Sequence, residues 1–421
     1  MILAGGELFD SSEQDRILGG LADRINETRA HQTLSCAEVI DALGRISQRL
    51  AAGEFTQSLT DEFLRSQVEF AARMLSADAL RQKVETELGE DWETPRQIGA
   101  LQARTVPIGV VMHVAAGNMD ALPAWSVIEG LLTGNINILK LPQADSGLTI
   151  RFFQALIEES PKLRDFIYVF DTPSTDVPAM QRMAALSDGI AVWGGDAAVS
   201  AVRRLAPVGC KLIEWGHRLG FCYISGTAPD AELSALAAHI TETRQLLCSS
   251  CQVIFLDTGE MSGVHAFCER FLPVLEAAAR RLPDADIGAA AELTLRRYTD
   301  ELERILSGGI PSGRRVYQGT RVSVTACEDS ALELSDMNGN VLVKRLPQTQ
   351  VMAALRQAKD YLQTAGLICP ASDREALAGL LMRGGVNRVL PPGQMSHTFP
   401  GESHDGEYAL RRYTRTVDLI L

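Results

Sequence analysis

The spacing of apolar residues changes along the chain. Residues 12–90 repeat them at helical intervals, as in Val39, Leu43 and Ile46, and this stretch predicts a set of helices. The run at residues 106–114 is instead short, continuous and rich in β-branched side chains, which is typical of a strand buried in a parallel sheet. The chain therefore begins with helices and then changes to a strand-forming pattern.

A regular alternation of strands and helices follows. Strands are predicted at residues 106–114, 136–140, 166–170, 189–193, 211–214 and 221–224, and helices at 122–132, 147–160, 176–185 and 196–205. Alternation at this spacing is characteristic of a doubly wound parallel sheet. The first α/β lobe is therefore expected to be Rossmann-like.

A second α/β lobe is predicted after it. Helices are expected at 230–246, 263–281 and 289–306, strands at 252–256 and 387–390, and a terminal strand at 414–421. We divide the chain accordingly into residues 1–90, 91–225, 226–395 and 396–421. Because no low-complexity linker or repeat separates the two lobes, the cleft between them is the expected ligand site.

Composition and charge narrow the class of protein. The 421 residues are 46% hydrophobic and 22% charged, which is ordinary for a globular protein, and the net charge of −13 without a basic stripe argues against nucleic-acid binding. We see no signal-peptide pattern, and charged and amide residues interrupt the longest apolar tract, residues 121–141, so no membrane span is expected. A cytoplasmic protein whose eight cysteines are free thiols is the expectation.

Two of these cysteines, Cys248 and Cys251, form a C-x-x-C motif between a predicted helix and a predicted strand. A zinc site would need a second pair of ligands at suitable spacing, and the sequence has none, so no metal is expected. A thioredoxin-type pair would follow a strand and open a helix, which is the reverse of this order. The remaining interpretations are a nucleophilic Cys248 with Cys251 incidental, or two inert packing residues.

Polar residues at predicted strand ends are the next candidates, because ligands of open α/β sheets bind at the carboxyl ends of the strands. Asn118 follows the first strand, after Ala115, and its amide suits a developing oxyanion; the alternative is a turn-forming asparagine. Glu214 ends a later strand and would serve either as a general base or as the partner of an arginine.

The common dinucleotide fingerprint G-x-G-x-x-G is absent. A glycine turn, Trp193-Gly194-Gly195, instead leads from a strand into a helix, where backbone amides can bind a phosphate group. Lys140 ends the second strand and is placed to contact a ribose hydroxyl or phosphate, unless it is only a solvated strand end. Gln143 follows it three residues later.

Taken in order, these residues resemble the aldehyde dehydrogenase superfamily. The likeness runs from about residue 100 to the end and includes the closing segment at residues 406–414, Gly-Glu-Tyr-Ala-Leu-Arg-Arg-Tyr-Thr. Within that superfamily the chain is most similar to the LuxC-type acyl-CoA reductases, because the cysteine turn reads Cys248-Ser249-Ser250-Cys251-Gln252 and Ser403-His404-Asp405-Gly406 also looks LuxC-like. The usual E-x-F-G-P motif has no match near Met337, so the nicotinamide-ribose contact stays unassigned.

The resemblance implies two α/β lobes and a C-terminal oligomerisation strand. It assigns residues 1–90 and 91–225 to the cofactor-binding domain, 226–395 to the catalytic domain and 396–421 to a return segment that ends in this strand. The implied reaction reduces an acyl-CoA thioester to the aldehyde through an acyl group on Cys248, with Asn118 at the oxyanion and Glu214 as a further catalytic candidate. The implied cofactor-binding residues are Ala115, Lys140, Gln143, Trp193, Gly194 and Gly195.

The cofactor and the partners follow from the same resemblance. NAD-preferring relatives place a glutamate three residues after the lysine, and Gln143 lacks that charge, so NADPH is expected, with NADH as the alternative. The acyl donor is either CoA, which is released as a product, or an acyl-protein thioester, and an acyl-activating ligase is an implied partner. The terminal strand implies a homo-oligomer, either a dimer or a tetramer.

Three other functions stay open on the sequence alone. An aldehyde dehydrogenase that makes acids would use Glu214 as its base and would not need CoA. A cysteine acyltransferase would form the same acyl-enzyme without a nicotinamide, and a non-catalytic partner protein would not need Cys248. His217 and His404 are either proton donors or structural histidines.

Overall fold

The computed structural model describes residues 1–55, 62–115, 122–143, 145–282 and 313–420, and the single positions 295, 299, 302 and 306. The chain divides into two compact units. The first unit comprises Met1–Gly216 together with Thr398–Leu421, and the second comprises His217–His397. Each unit has its own seven-stranded sheet with helices packed against it.

The sheet of the first unit has the strand order β2-β1-β7-β6-β5-β8-β9. Its strands are β1 (Ile2–Ala4), β2 (Glu7–Phe9), β5 (Val110–Val114), β6 (Ile136–Lys140), β7 (Ile167–Phe170), β8 (Gly189–Trp193) and β9 (Lys211–Trp215). The strands from β5 to β9 are all parallel, whereas β1 is antiparallel to β7. Since β6 lies on one side of β5 and β8 on the other, the sheet is doubly wound about β5, as predicted.

The helices of this unit confirm the helical periodicity of the N-terminal region. They are α1 (Gln14–His31), α2 (Cys36–Ala51), α3 (Glu62–Met74), α4 (Ala77–Leu88), α5 (Leu122–Leu132), α6 (Leu148–Glu159), α7 (Val177–Ala185) and α8 (Asp196–Leu205). Ser35 and Glu38 form a capping box that starts α2, and the side of α2 that carries Val39, Leu43 and Ile46 is buried in the core.

The single strand predicted at residues 106–114 is wrong, because this run forms two strands in different sheets. Strand β4 (Leu101–Pro107) ends before Gly109, whose φ of 134° is accessible to glycine but strained for other residues, and β5 begins at Val110. A Cβ at Gly109 would lie 2.0 Å from Asp188 Oδ2, and that carboxylate accepts a hydrogen bond from the Val110 N–H. The apolar pattern continues across this break, so it hides the change of sheet.

A small antiparallel sheet with the order β17-β4-β3 completes the first unit. Strand β17 (Thr414–Leu419) pairs with β4 over its whole length, and β3 (Arg96–Ile98) pairs with the other edge of β4. The predicted C-terminal strand is therefore present, and within this chain its partner is β4. The prediction did not include β1, β2, β3 or the first half of β4.

A buried ionic cluster fixes the chain where it returns to this unit. Lys83 Nζ lies 2.5 Å from Glu87 Oε1 and 3.2 Å from Glu129 Oε1, and all three side chains are buried. Glu87 Oε2 accepts a hydrogen bond of 2.7 Å from the Leu410 N–H. Burial raises the pKa of Glu129. Because buried charges need partners, the cluster ties α4 and α5 to the C-terminal segment that precedes β17.

The sheet of the second unit has the order β12-β13-β14-β11-β10-β15-β16. Its strands are β10 (Leu219–Ile224), β11 (Cys251–Leu256), β12 (Arg314–Gln318), β13 (Ser323–Cys327), β14 (Asn340–Arg345), β15 (Leu362–Ile368) and β16 (Arg388–Leu390). All neighbours are parallel except β12 and β13. The helices are α9 (Asp230–Glu242), α10 (Met261–Ala279), α11 (Val351–Gln357), α12 (Arg374–Arg383) and, in the first unit again, α13 (Ala409–Arg412).

This topology corrects the placement of one strand. The run at residues 221–224 was expected to close the first sheet, but it belongs to β10, which is central in the second sheet. The predicted strands at 252–256 and 387–390 and the helix at 263–281 are confirmed within a few residues. The predicted helix at 289–306 lies mainly outside the described residues. Strands β12 to β15 were not predicted, because their short runs lie among polar residues.

No helix in the described part of the chain is both long enough and apolar enough to cross a membrane.

Candidate active site

Cys248 lies in the turn that joins α9 to β11 in the second unit. After α9 ends at Glu242, Arg244 and Gln245 adopt the left-handed conformation, with φ of 50° and 59°. All eight cysteines are in the described part of the chain, and Cys248 is the only exposed one among them. The turn lies at the amino end of β11, whereas ligands of open α/β sheets usually bind at the carboxyl ends. The structure therefore presents one accessible thiol on a strained turn.

Two buried glutamines hold this turn against the neighbouring loop. Gln245 Nε2 donates to Ser335 Oγ at 3.0 Å, and Gln245 Oε1 accepts from the Gly339 N–H at 3.0 Å. Gln252 Nε2 donates to the Gln245 carbonyl at 2.8 Å, while its Oε1 accepts from Ser335 Oγ at 2.7 Å. Because both amides use donors and acceptors in a buried place, they fix the two ends of the turn.

The turn rests directly on the backbone of β10. A Cβ added to Gly220 would lie 2.5 Å from the Ser250 carbonyl oxygen and 2.7 Å from that of Ser249. At this position β10 also shifts register, between Gly220 and Phe221 against β11 and between Leu219 and Phe221 against β15. Only a residue without a side chain leaves room for the turn here, so Gly220 sets the height of the thiol above the sheet.

Cys251 differs from Cys248 in its exposure to solvent. It begins β11 and is completely buried, and burial raises the pKa of its thiol far above the ordinary value. His239 Nε2 accepts a hydrogen bond of 3.2 Å from the Cys251 N–H, so this ring nitrogen carries no proton. Burial lowers the pKa of His239 to about 4, in agreement with a neutral ring. Only Cys248 of the pair is accessible to a substrate.

The candidate metal-ligating residues in the described part of the chain lie away from the C-x-x-C motif. Among the described residues, one group has metal-ligating atoms close together, namely Cys327, Asp329 and Glu333, and it includes neither cysteine of the motif. In that group Lys344 Nζ lies within hydrogen-bond distance of both carboxylates and takes the place that a cation would occupy.

A residue that the sequence analysis missed lies next to the thiol. Gln363, on β15, is buried, and its Nε2 lies 3.4 Å from Cys248 Sγ in hydrogen-bonding geometry. The two residues are far apart in sequence, and a glutamine in a short apolar run carries no chemical signature. Only the pairing of β15 with β10 brings it to the turn.

The other candidates lie in the first unit, along the carboxyl edge of its sheet. Ala115 follows β5, Lys140 ends β6, and Trp193, Gly194 and Gly195 follow one another at the end of β8. Because β6 and β8 lie on opposite sides of β5, these residues border the point where the chain reverses its winding. This is where open α/β sheets bind nucleotides. Asn118 and the rest of residues 116–121 lie outside the described residues.

Lys140 is buried although it carries a charge, and its Nζ donates to Ser174 Oγ at 2.9 Å. Burial lowers its pKa. Gln143 lies in the following turn and is exposed, so its neutral side chain is open to a ligand. The ammonium group of Lys140 is therefore held in place at the strand end, and the side chain of Gln143 nearby is exposed.

The glycine turn after β8 is open on one side and packed on the other. A Cβ at Gly195 would meet no atom within 4 Å, whereas one at Gly194 would lie 3.0 Å from Ala198 Cβ. Gly195 is the N-cap of α8, and the helix N-terminus favours an anionic group. Since Asp196 adds a negative charge to the first turn, phosphate binding would rely on backbone amides.

Trp193 is held by a chain of ordered hydrogen bonds. Its Nε1–H donates to Ser126 Oγ at 2.9 Å, and Ser126 Oγ lies 2.7 Å from His113 Nδ1. The other ring nitrogen of His113 donates to Asn137 Oδ1 at 2.9 Å. Burial lowers the pKa of His113 to about 4, so the ring is neutral. A neutral ring that donates to Asn137 must accept from Ser126, which fixes the donor and the acceptor of each hydrogen bond. The indole is thereby locked in one orientation.

His404 packs against two tryptophans in the first unit. Its ring centroid is 5.1 Å from that of Trp193 and 4.8 Å from that of Trp215, in edge-on geometry, and the Arg412 guanidinium lies over Trp215. His217 is exposed and contacts Tyr361 edge-on in the second unit. His404 thus has a packing role. A role in proton transfer stays a prediction for both His404 and His217.

Glu214 lies on β9 and is bound to an arginine. Arg203 Nε and Nη2 donate to its two carboxylate oxygens at 2.6 and 2.8 Å. These hydrogen bonds lower the pKa of the Glu214 carboxyl below its ordinary value. A carboxylate held in this way is a weak base, so the geometry matches the arginine-partner interpretation of this residue.

The chain has the fold of the aldehyde dehydrogenases. An NAD-dependent aldehyde dehydrogenase from Sinorhizobium meliloti superposes with a TM-score of 0.75, at 15% identity, over 100% of this chain and 94% of that one. A 3,6-anhydro-L-galactose dehydrogenase superposes with a TM-score of 0.70, at 13% identity, over 100% and 99%. The predicted aldehyde-dehydrogenase-like fold is confirmed.

A family model described as acyl-CoA reductase (LuxC) matches residues 26–416, and the chain belongs to this family. The long-chain acyl-protein thioester reductase of Photobacterium phosphoreum is 24% identical over 287 residues, which cover 63% of this chain and 57% of that protein. The protein of the same name from Aliivibrio fischeri is 24% identical over 258 residues, or 56% and 52% of the two chains. The matched segments thus span little more than half the length of these relatives.

Proposed function

We propose that this protein reduces an acyl thioester to the aldehyde, through an acyl group carried by Cys248. The observation that carries the proposal is the single exposed thiol, fixed on a strained turn at the amino end of β11. Membership of the acyl-CoA reductase family supports the same chemistry. The alternatives without a nucleophilic thiol do not account for a turn that two glutamines and a glycine hold in place.

The first half of the reaction needs only the thiol and an oxyanion site. The Cys248 thiolate attacks the thioester carbonyl, a new C–S bond forms, and the bond to the donor's sulfur breaks, so the donor leaves as a thiol after it takes up a proton. Exchange of one thioester for another is nearly isoenergetic, so positioning dominates the rate. Asn118 and the Cys248 N–H are the proposed donors to the carbonyl oxygen.

A reduced nicotinamide, when bound, would supply the hydride that converts the acyl group to the aldehyde. The residues proposed to hold it are Ala115, Lys140, Gln143, Trp193, Gly194 and Gly195. The chain's own residues fit such a group, because Gly195 leaves open space at a helix N-terminus and Lys140 is a fixed cation at the winding reversal. Trp193 adds a rigid aromatic wall.

We propose NADPH as the preferred form, because residue 143 is a neutral glutamine. A glutamate there would bind both ribose hydroxyls and repel a 2′-phosphate, whereas Gln143 does not repel it. Glu214 is proposed as a structural residue in this reaction. Its ion pair with Arg203 leaves it a poor base for activating water, which favours a reductase over an acid-forming dehydrogenase.

The donor is proposed to be a long-chain acyl thioester of CoA or of a protein. The family model names acyl-CoA, whereas the curated relatives are named for acyl-protein thioesters. If the donor is a protein, an acyl-activating ligase is the class of enzyme that would supply it.

The test is NADPH oxidation, followed by absorbance under anaerobic conditions, with a series of acyl-CoA chain lengths. We expect thioester-dependent oxidation by the wild type, none by Cys248→Ala, and wild-type rates for Cys369→Ala, a control at a partly buried cysteine. Acylation of Cys248 without any oxidation of NADPH would favour a transferase. Oxidation that persists in Cys248→Ala would refute the proposed nucleophile.

A further inference from the structure

Gln363 is placed beside the thiol by an irregularity in the second sheet. Leu219 pairs with Leu362 and Phe221 with Ala365, so β15 has two residues, Gln363 and Thr364, opposite the single residue of β10 between those pairs. Extra residues of this kind redirect side chains and occur often near active sites. The residue of β10 at this irregularity is Gly220, and the cysteine turn packs against it. The irregularity therefore lies directly beside the turn that carries the thiol.

The burial pattern shows the effect of the extra residue. Leu362 and Ala365 are three positions apart and belong to the same core cluster, although residues three apart on a regular strand lie on opposite faces. Because of the extra residue between them, the side chains of Leu362 and Ala365 both face the core. The side chain of Gln363, one of the two residues in this insertion, reaches Cys248, whose sulfur lies 3.4 Å from Nε2.

The environment of the Gln363 amide favours this contact. The side chain is only 3% exposed, and its Oε1 accepts a hydrogen bond of 3.3 Å from Thr364 Oγ1. That bond orients the amide so that its nitrogen faces the sulfur. A donor that is shielded from water favours the charged form of its acceptor, and a hydrogen bond to a charged group is about twice as strong as a neutral one.

We propose that Gln363 is a catalytic residue that donates a hydrogen bond to the Cys248 sulfur and holds the thiol in its ionised form. This inference rests on the proposed function only in taking Cys248 as the nucleophile. The donor stabilises the thiolate before the attack. In the proposed reduction, where a bound nicotinamide would supply a hydride to the acyl carbon, the donor would stabilise the sulfur again when the C–S bond breaks, the bonding electrons return to sulfur and the aldehyde leaves.

The test compares Gln363→Met with Gln350→Met. Methionine has nearly the length of glutamine but no N–H donor, and Gln350 is an exposed glutamine of the same unit. The pH dependence of Cys248 alkylation by iodoacetamide, located by mass spectrometry, gives the thiol pKa. We expect the pKa to rise by about one unit in Gln363→Met, with an unchanged limiting rate at high pH, and to stay constant in Gln350→Met.

A second variant guards against a loss of folding, which circular dichroism would show. Gln363→Glu has almost the same shape and places a negative charge beside the sulfur, so the pKa should rise by more than in Gln363→Met. An unchanged pKa in both variants would overturn the inference. So would a lower limiting rate without a change in pKa, because that result describes a purely structural residue.

Alkylation uses neither a thioester nor a nicotinamide, so it tests Gln363 separately from the proposed function. If the protein is a reductase, Gln363→Met should also lower kcat by about tenfold. A reductase whose thiol pKa and kcat do not depend on Gln363 would overturn this inference alone. A pKa shift in a protein without any reductase activity would reject the proposed function and support the role of Gln363.

Discussion

At the scale of single residues, burial decides which of two neighbouring cysteines can react. Cys248 and Cys251 are three positions apart, yet the first is exposed and the second lies in the core with a strongly raised thiol pKa. A C-x-x-C spacing cannot make this distinction. The structure distinguishes the two cysteines, because Cys251 is the first residue of the buried strand β11 and Cys248 lies in the turn before it.

The proposed role of Gln143 in cofactor choice is also open to a direct test. We expect Gln143→Glu to lower the ratio of kcat/KM for NADPH over NADH by about tenfold, since a carboxylate repels the 2′-phosphate and binds both ribose hydroxyls. Steady-state kinetics with both cofactors would measure it. Gln181→Glu, the same change at an exposed position on α7, should leave the ratio unaltered. An unaltered ratio in Gln143→Glu would remove the argument for NADPH.

Some candidate site residues are recognisable from their neighbours in the sequence, and others only from the tertiary structure. The sequence proposes Cys248, Lys140 and the Trp193-Gly194-Gly195 turn because each lies next to a recognisable strand or helix end. The sequence does not propose Gln363, because its contact with the sulfur depends on how β15 pairs with β10. The ion pair of Glu214 with Arg203 was one of two interpretations, and the side-chain geometry favours it.

At the scale of elements, the cysteine turn packs against β10 at Gly220, where the absence of a side chain leaves room for it. We expect Gly220→Ala to lower kcat/KM by about 100-fold, because a methyl group would displace the carbonyls of Ser249 and Ser250 and move the thiol by about 1 Å. The same change should cost about 1–3 kcal/mol of unfolding free energy.

Gly259→Ala is the matched control for that substitution. Gly259 is exposed, and a Cβ there would meet no atom within 4 Å. Urea unfolding and NADPH-oxidation assays of the two variants would separate the effects. Full activity in Gly220→Ala would show that the turn adjusts to the side chain and that Gly220 does not position the thiol.

Errors in the predicted elements have one common cause. The run at residues 106–114 was predicted as one strand, because hydrophobic pattern does not show the left-handed Gly109 that separates β4 from β5. Strand β10 was assigned to the first sheet, because pattern gives the order of strands along the chain but not their neighbours. Strand pairing is a non-local property, and a single sequence carries little of it.

At the scale of the whole molecule, the oligomer prediction rests on the C-terminal strand, and the small sheet that contains this strand offers a surface for testing it. Ile98 and Leu101 pair across β3 and β4 and are 47% and 37% exposed, and β17 forms an edge of the same sheet. Exposed apolar pairs beside an unpaired edge are typical of an interface. A second copy of the chain is the proposed partner.

We expect the wild type to be a dimer or tetramer by light scattering, and the double variant Ile98→Arg, Leu101→Arg to form a smaller species. Two buried positive charges would cost an interface several kcal/mol. Val208→Arg, at a fully exposed position of the same unit, should not change the mass. A monomeric wild type would contradict the prediction.

The sequence by itself determined the class of fold, the family likeness and the identity of the nucleophile candidate. These follow from local patterns, namely strand and helix periodicity, the order of short motifs and a cysteine after a helix. Only the tertiary structure decided that β10 belongs to the second sheet, that Cys248 is exposed and Cys251 buried, and that Gln363 contacts the sulfur. The physical reason is that burial and strand pairing depend on residues far apart in the chain, whereas periodicity depends on neighbours.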